Sequence, residues 1–173
     1  MLWSVIAFTM MGNGDRARDL FAMINPVNHT RSRPEAERYR VEPYVACGDV
    51  YSEAPNVGRG GWTWYTGSAA WMYRTAVEYM LGIRLRGDRL FLNPVIPRGW
   101  PGFEATIRRN GTAFHIMVEN GPGADIIDVL VDGREVDAAA GIPLTGRDKT
   151  CRIHAILGTR PVETRAAASG GGT

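Results

Sequence analysis

The chain has 173 residues, enough for one domain or two small units in contact, and its 45% hydrophobic and 22% charged residues exclude a disordered chain. The net charge is +2 with no run of like charges, which gives no support to a nucleic-acid surface or a polybasic membrane surface, since both need clustered Lys or Arg. Two distant cysteines, Cys47 and Cys151, and three scattered histidines make neither a disulfide framework nor a metal-ligand cluster, so a reduced cytoplasmic protein without a metal is expected.

Met1 to Met11 is apolar, but it is too short to span a bilayer and lacks the basic lead and cleavage site of a signal peptide. It reads as the second half of a buried helix. With no cap or polar lead-in, the expectation is a chain that continues something larger. Gly12-Asn13-Gly14-Asp15 breaks that helix, and Asp15 is expected to cap the next one. There Leu20, Phe21, Met23 and Ile24 recur at helical spacing up to Asn25-Pro26. Polar sequence runs from Asn28 to Arg40, and Pro43 can open a short helix carrying Tyr44, Val45 and Val50. A further helix is predicted over Ser68 to Leu81, ended by Gly82.

After Gly82 the period changes. Arg89 to Pro94 reads as a strand. Phe103 to Arg108 and Thr112 to Glu119 flank Asn110-Gly111, a strong hairpin signal. Ile126 to Val131 turns at Asp132-Gly133 into Arg134 to Val136, and Ile153 to Leu157 is a last strand. Short strands at this spacing suggest a β-sandwich. The fold class is therefore α+β, with helices over 1–83, a β unit over 84–160 and a flexible tail over 161–173.

The stretch that points to chemistry is Val57-Gly58-Arg59-Gly60-Gly61-Trp62-Thr63-Trp64-Tyr65-Thr66-Gly67, which runs straight into the Ser68 helix. The first N–H groups of a helix have no internal partner, and the dipole there favours an anion. Gly67 leaves the backbone open, the Thr66 hydroxyl adds a donor, and Arg59 can pair with phosphate through two parallel bonds. The bland alternative is a Thr66 that serves only as an N-cap. Trp62 and Trp64, two residues apart, would share one face of an extended loop and offer flat platforms to sugar rings; the alternative is core packing. Glu42 and Asp49 are candidate acceptors for sugar hydroxyls or a carboxylate pair, although an acid before Pro43 also suits a helix start. His29 reads as a solvated or capping residue, His115 and His154 as structural, and Cys47 as inert packing.

Several motifs follow one another in order: Gly12-Asn13-Gly14-Asp15, Ile24-Asn25-Pro26-Val27-Asn28-His29, Val41-Glu42-Pro43-Tyr44-Val45, the Gly/Trp loop itself, and Asn93-Pro94-Val95-Ile96-Pro97-Arg98-Gly99-Trp100-Pro101-Gly102. In this the chain resembles the C-terminal part of glycoside hydrolase family 94, which includes cellobiose and chitobiose phosphorylases. Within it the resemblance is strongest to the C-terminal region of cyclic β-1,2-glucan synthases. It implies the last helices of an (α/α) six-hairpin barrel followed by a small β domain. It also implies inverting phosphorolysis, in which an Asp protonates the glycosidic oxygen while inorganic phosphate, a co-substrate rather than a cofactor, attacks the anomeric carbon. Thr66 and Gly67 match the Thr-Gly pair that helps hold phosphate.

The departures are equally specific. The Asp-Trp-Asn-Asp type motif that carries the general acid is absent from these 173 residues. A phosphate-contacting His would fall before Met1, and Cys47 stands where cellobiose phosphorylases carry a glucose-contacting Gln, which argues against cellobiose. The resemblance thus places no catalytic residue in the chain and makes it inactive alone. Its expected partners are a β-glucan or oligosaccharide and inorganic phosphate, with self-association through exposed barrel helices. A non-catalytic carbohydrate-binding module built on Trp62 and Trp64, or a structural remnant, is the alternative.

Overall fold

The computed structural model describes residues 1–121, 123, 125–145 and 149–159, so the tail expected over 161–173 lies outside the described residues. Helix α1 (Leu2–Met10) turns through Gly12 into α2 (Gly14–Ala22). Val5 and Ala17 meet between them and join Met80 in a small apolar cluster flanked by Phe8, Leu20 and Phe21. The cap on α2 is Asn13, whose side chain accepts from the Arg16 N–H at 3.0 Å. Asp15, expected to cap, instead accepts from the backbone N–H of Arg98 at 3.0 Å and so ties the helical part to the segment before the sheets. Gly14 allows this approach, because a Cβ there would lie 2.2 Å from the Ile96 carbonyl oxygen.

A 3-10 turn (Pro26–His29) and helix α3 (Arg33–Tyr39) occupy the stretch expected to be merely polar. No helix opens at Pro43. Residues 41–48 form turns, and Val41, Val45 and Cys47 pack with Tyr39 in a second small cluster. Strands β1 (Asp49–Val50) and β2 (Gly60–Gly61) make a two-stranded hairpin. Helix α4 (Thr66–Arg74) follows, then passes into a π-helical segment, Thr75–Met80. The predicted helix over Ser68 to Leu81 is therefore present but changes winding at the buried Thr75, where the Leu81 N–H reaches back to the Ala76 carbonyl at 2.8 Å. Gly82, at φ +66°, ends it, and a Cβ there would lie 2.0 Å from the Asn93 carbonyl oxygen.

Eight strands then form two sheets. One has three strands in the order β3 (Ile83–Arg86), β4 (Arg89–Leu92), β9 (Ile142–Pro143). The other is ordered β5 (Gly102–Arg109), β6 (Thr112–Glu119), β10 (Thr150–Gly158), β7 (Asp125–Val131), β8 (Arg134–Glu135). Its pairings are antiparallel except β6 with β10, which run parallel. Alternation explains the core: Phe114, Ile116 and Val118 are buried while His115, Met117 and Glu119 face out. Ile153, Ala155 and Leu157 continue that layer, and Ile83, Leu90, Leu92 and Ile142 of the smaller sheet complete one cluster with it. Among the described residues the chain is thus a mixed helix and sheet protein of the α+β class, with its largest core between the two sheets.

Candidate functional site

The Gly/Trp loop is anchored as a hairpin. The Gly48 N–H donates to the carbonyls of Gly61 and Trp62, both at 3.0 Å, and the Tyr51 N–H donates to Arg59 at 2.9 Å. Gly60 and Gly61 are buried, and neither can carry a side chain. A Cβ on Gly60 would lie 2.4 Å from the Val41 side chain, and one on Gly61 2.5 Å from the Asp49 carboxylate. The crowding that the glycines answer is thus the packing of the loop on Tyr39, Val41, Asp49 and Tyr51.

Beyond β2 the chain turns twice through the left-handed region, at Trp62 (φ +56°) and Trp64 (φ +59°). The two indoles are therefore not side by side on an extended face. Trp62 packs tilted on Tyr65 with ring centres 5.6 Å apart, whereas Trp64 meets Tyr44 edge-on at 6.4 Å. Both are exposed, at 76% and 64%, so neither packs in a core formed by the described residues. Tyr44 and Tyr65 are not among the site residues expected from sequence, although each lies within a motif that stands out there.

Glu42 is half-buried beneath Trp64. Its Oε1 accepts from the Trp64 indole N–H at 3.2 Å, while its Oε2 is buried without a hydrogen-bond partner. Since no helix starts at Pro43, the helix-start role for this acid falls away, and the carboxylate positions an exposed indole instead. Asp49 is exposed and stands over Gly61, bordering a small cavity of about 110 Å³ that Cys47, Ser68 and Met72 also line.

At the head of α4 the N-cap is Tyr65 rather than Thr66, and no side chain caps the helix. Thr66 and Gly67 are the first two helical residues, both exposed, and a Cβ on Gly67 would touch nothing closer than 3.9 Å. Uncapped N–H groups of this kind suit an anion. Arg59 is exposed in the hairpin, and among the described residues no hydrogen bond or ion pair joins it to Thr66 or Gly67.

The flanking residues have structural partners. The His29 ring stacks on Tyr39 at 4.9 Å and places Nε2 2.7 Å from the Met23 carbonyl at the end of α2. The Tyr39 hydroxyl lies 3.3 Å from Cys47 Sγ, and burial, followed by the bond to Cys47, pushes its pKa well above the ordinary phenol value. Cys47 and Cys151 are both buried. His115 Nδ1 is 3.1 Å from the Thr106 hydroxyl and His154 Nε2 3.0 Å from Glu119 Oε1, both on the outer side of the larger sheet. No helix among the described residues is long and apolar enough to cross a membrane.

Residues 1–82 match the glycosyl hydrolase 94 superfamily, catalytic domain. The chain belongs to glycoside hydrolase family 94. Residues 83–138 match the glycosyl hydrolase family 65, C-terminal domain. Among similar proteins, the cyclic beta-(1,2)-glucan synthase NdvB of Rhizobium meliloti (strain 1021) is 53% identical over 116 residues, covering 67% of this chain and 4% of that protein. The N,N'-diacetylchitobiose phosphorylase of Vibrio furnissii is 32% identical over 160 residues, covering 90% of this chain and 19% of its own length. The solabiose phosphorylase of Paenibacillus borealis is 27% identical over 157 residues, covering 88% and 20%. This family 94 chain therefore spans a fifth or less of the relatives it matches.

Proposed function

We propose that this chain supplies one wall of an active site for inverting phosphorolysis of β-linked glucans, in the cytoplasm. In this reading residues 1–83 are the last helices of an (α/α) six-hairpin barrel and residues 84–160 a β-sandwich that closes it. Inorganic phosphate sits on the Thr66 hydroxyl and the Thr66 and Gly67 N–H groups, with Arg59 as counter-charge. Trp62, Trp64, Glu42 and Asp49 face the sugar. The general acid comes from outside these residues, so the chain alone turns over no substrate. The uncovered apolar side chains of α1 and α4, Trp3, Met10 and Trp71 among them, are the surface through which such a piece associates with itself.

The observation that carries this reading is the uncapped head of α4, directly beyond two exposed tryptophans. Tryptophan fluorescence followed while inorganic phosphate is titrated tests it, because Trp62 and Trp64 stand two to five residues from the anion. A saturable change that Thr66→Ala abolishes is expected. A wild-type signal indifferent to phosphate, with a response to β-1,2-linked oligoglucoside alone, would establish the second reading, a non-catalytic sugar-binding surface. The exposure of both indoles is what favours that second reading.

A further inference from the structure

Among the described residues β5 is an edge strand, with β6 on one side and no strand on the other. Beside it lies a cleft of about 690 Å³, lined by Ala105, Thr106 and Ile107 of β5, by apolar Val77 and Leu81, and by charged side chains such as Glu78 and Arg86. An open row of backbone donors and acceptors is a template for another strand. Edge strands are commonly protected by charges that repel a copy of themselves, so the pattern of charge on β5 decides what it admits.

On the outer face of β5 stand Glu104, Thr106 and Arg108, all exposed. Phe103, Ala105 and Ile107 point the other way and pack on the main core. The outer triad is self-complementary. When two copies of β5 run antiparallel about a two-fold axis at Thr106, Glu104 of each stands opposite Arg108 of the other. Ala105 meets Ile107, and Phe103 meets Arg109. A shift by one residue takes Glu104 away from Arg108 and sets the outer face of one strand against the inner face of the other, and parallel pairing in register sets like charge against like. Among the described residues neither Glu104 nor Arg108 has an ion pair within its own chain.

We infer that β5 is a self-pairing edge, and that two copies of this chain join there in a two-fold dimer with Glu104 and Arg108 setting register and direction. A contact of this kind uses the same patch on both subunits and closes at two. It uses the backbone edge and outer charges of β5 rather than the exposed apolar side chains Trp3, Met10 and Trp71.

Charge reversal tests this with the full chain in sedimentation equilibrium. Glu104→Arg and Arg108→Glu each convert two attractions into two repulsions, and each is expected to weaken dimerisation about tenfold or more. Mixing the two reversed variants makes the pairs complementary again, so a heterodimer of near wild-type affinity is expected, as is recovery in the doubly swapped chain. Far-UV circular dichroism checks that every variant is folded, with Glu104→Gln as the milder change. A monomeric wild type, or association unmoved by reversal and mixing, overturns the inference. Association through the helical faces gives the latter result, so the two surfaces are told apart.

Discussion

At Gly60 the hairpin leaves room for a hydrogen and nothing more, since a Cβ would press on the Val41 side chain and the Tyr39 ring. Gly60→Ala is therefore expected to destabilise the chain by about 1–3 kcal/mol, read from urea unfolding, through overpacking rather than altered backbone freedom. Gly67→Ala, whose Cβ meets open space, serves as the comparison and should cost far less. Tyr39 makes a second prediction. Its folded-state pKa is raised, so below about pH 10 both states hold the proton and the full stability is present. Above that the unfolded chain loses the proton first, and stability falls as pH climbs towards the folded value. Tyr39→Phe should flatten that alkaline slope, measured as unfolding midpoint against pH from 8 to 11. An unchanged slope would remove Tyr39 from the alkaline loss of stability. Composition and spacing single out the glycines, the tryptophans, Glu42 and Thr66 as candidates, but the pairing of Glu42 with Trp64 spans twenty-two positions and no local pattern encodes it.

At the scale of elements, strong local signals found their structures. Asn110-Gly111 turns β5 into β6 with Asn110 at φ +50° and Gly111 at +81°, the geometry that dipeptide favours. Short elements held by distant contacts did not show. Strand β3, Ile83–Arg86, is not among the predicted strands, yet it pairs with β4 and places Arg84 over the Tyr79 ring at 4.8 Å. Strand β9 is two residues long and exists only by pairing with Arg89 and Leu90. The parallel match of β10 to β6 joins segments more than thirty residues apart, which alternation along either strand cannot reveal. The change from α to π winding at Thr75 also lacks a sequence mark, because Thr75 to Met80 keep the helical spacing that predicted a uniform helix.

At the scale of the molecule, apolar burial is uneven. The cluster between the two sheets gathers Leu90, Phe114, Ile116, Ile153 and Leu157, all almost fully buried, whereas the helical part rests on two small clusters around Tyr39 and Val5. Helix α4 buries no residue at all, and α1 buries only Val5 and Thr9. Local opening follows local burial, because a helix with few buried contacts loses little when it frays. Amide hydrogen exchange followed by mass spectrometry should then separate the two parts. Amides of β6 and β10 are expected to exchange only on global unfolding, and those of α1 and α4 at least about a hundredfold faster. Under the proposed reading, phosphate at the head of α4 stabilises the closed helix by an amount that grows with the logarithm of its concentration above Kd, so adding it should slow exchange in α4 and leave β6 unchanged. Equal protection throughout would mean that helices and sheets open as one unit. Protection of α4 that ignores phosphate in wild type as it does in Thr66→Ala would remove the anion from that helix.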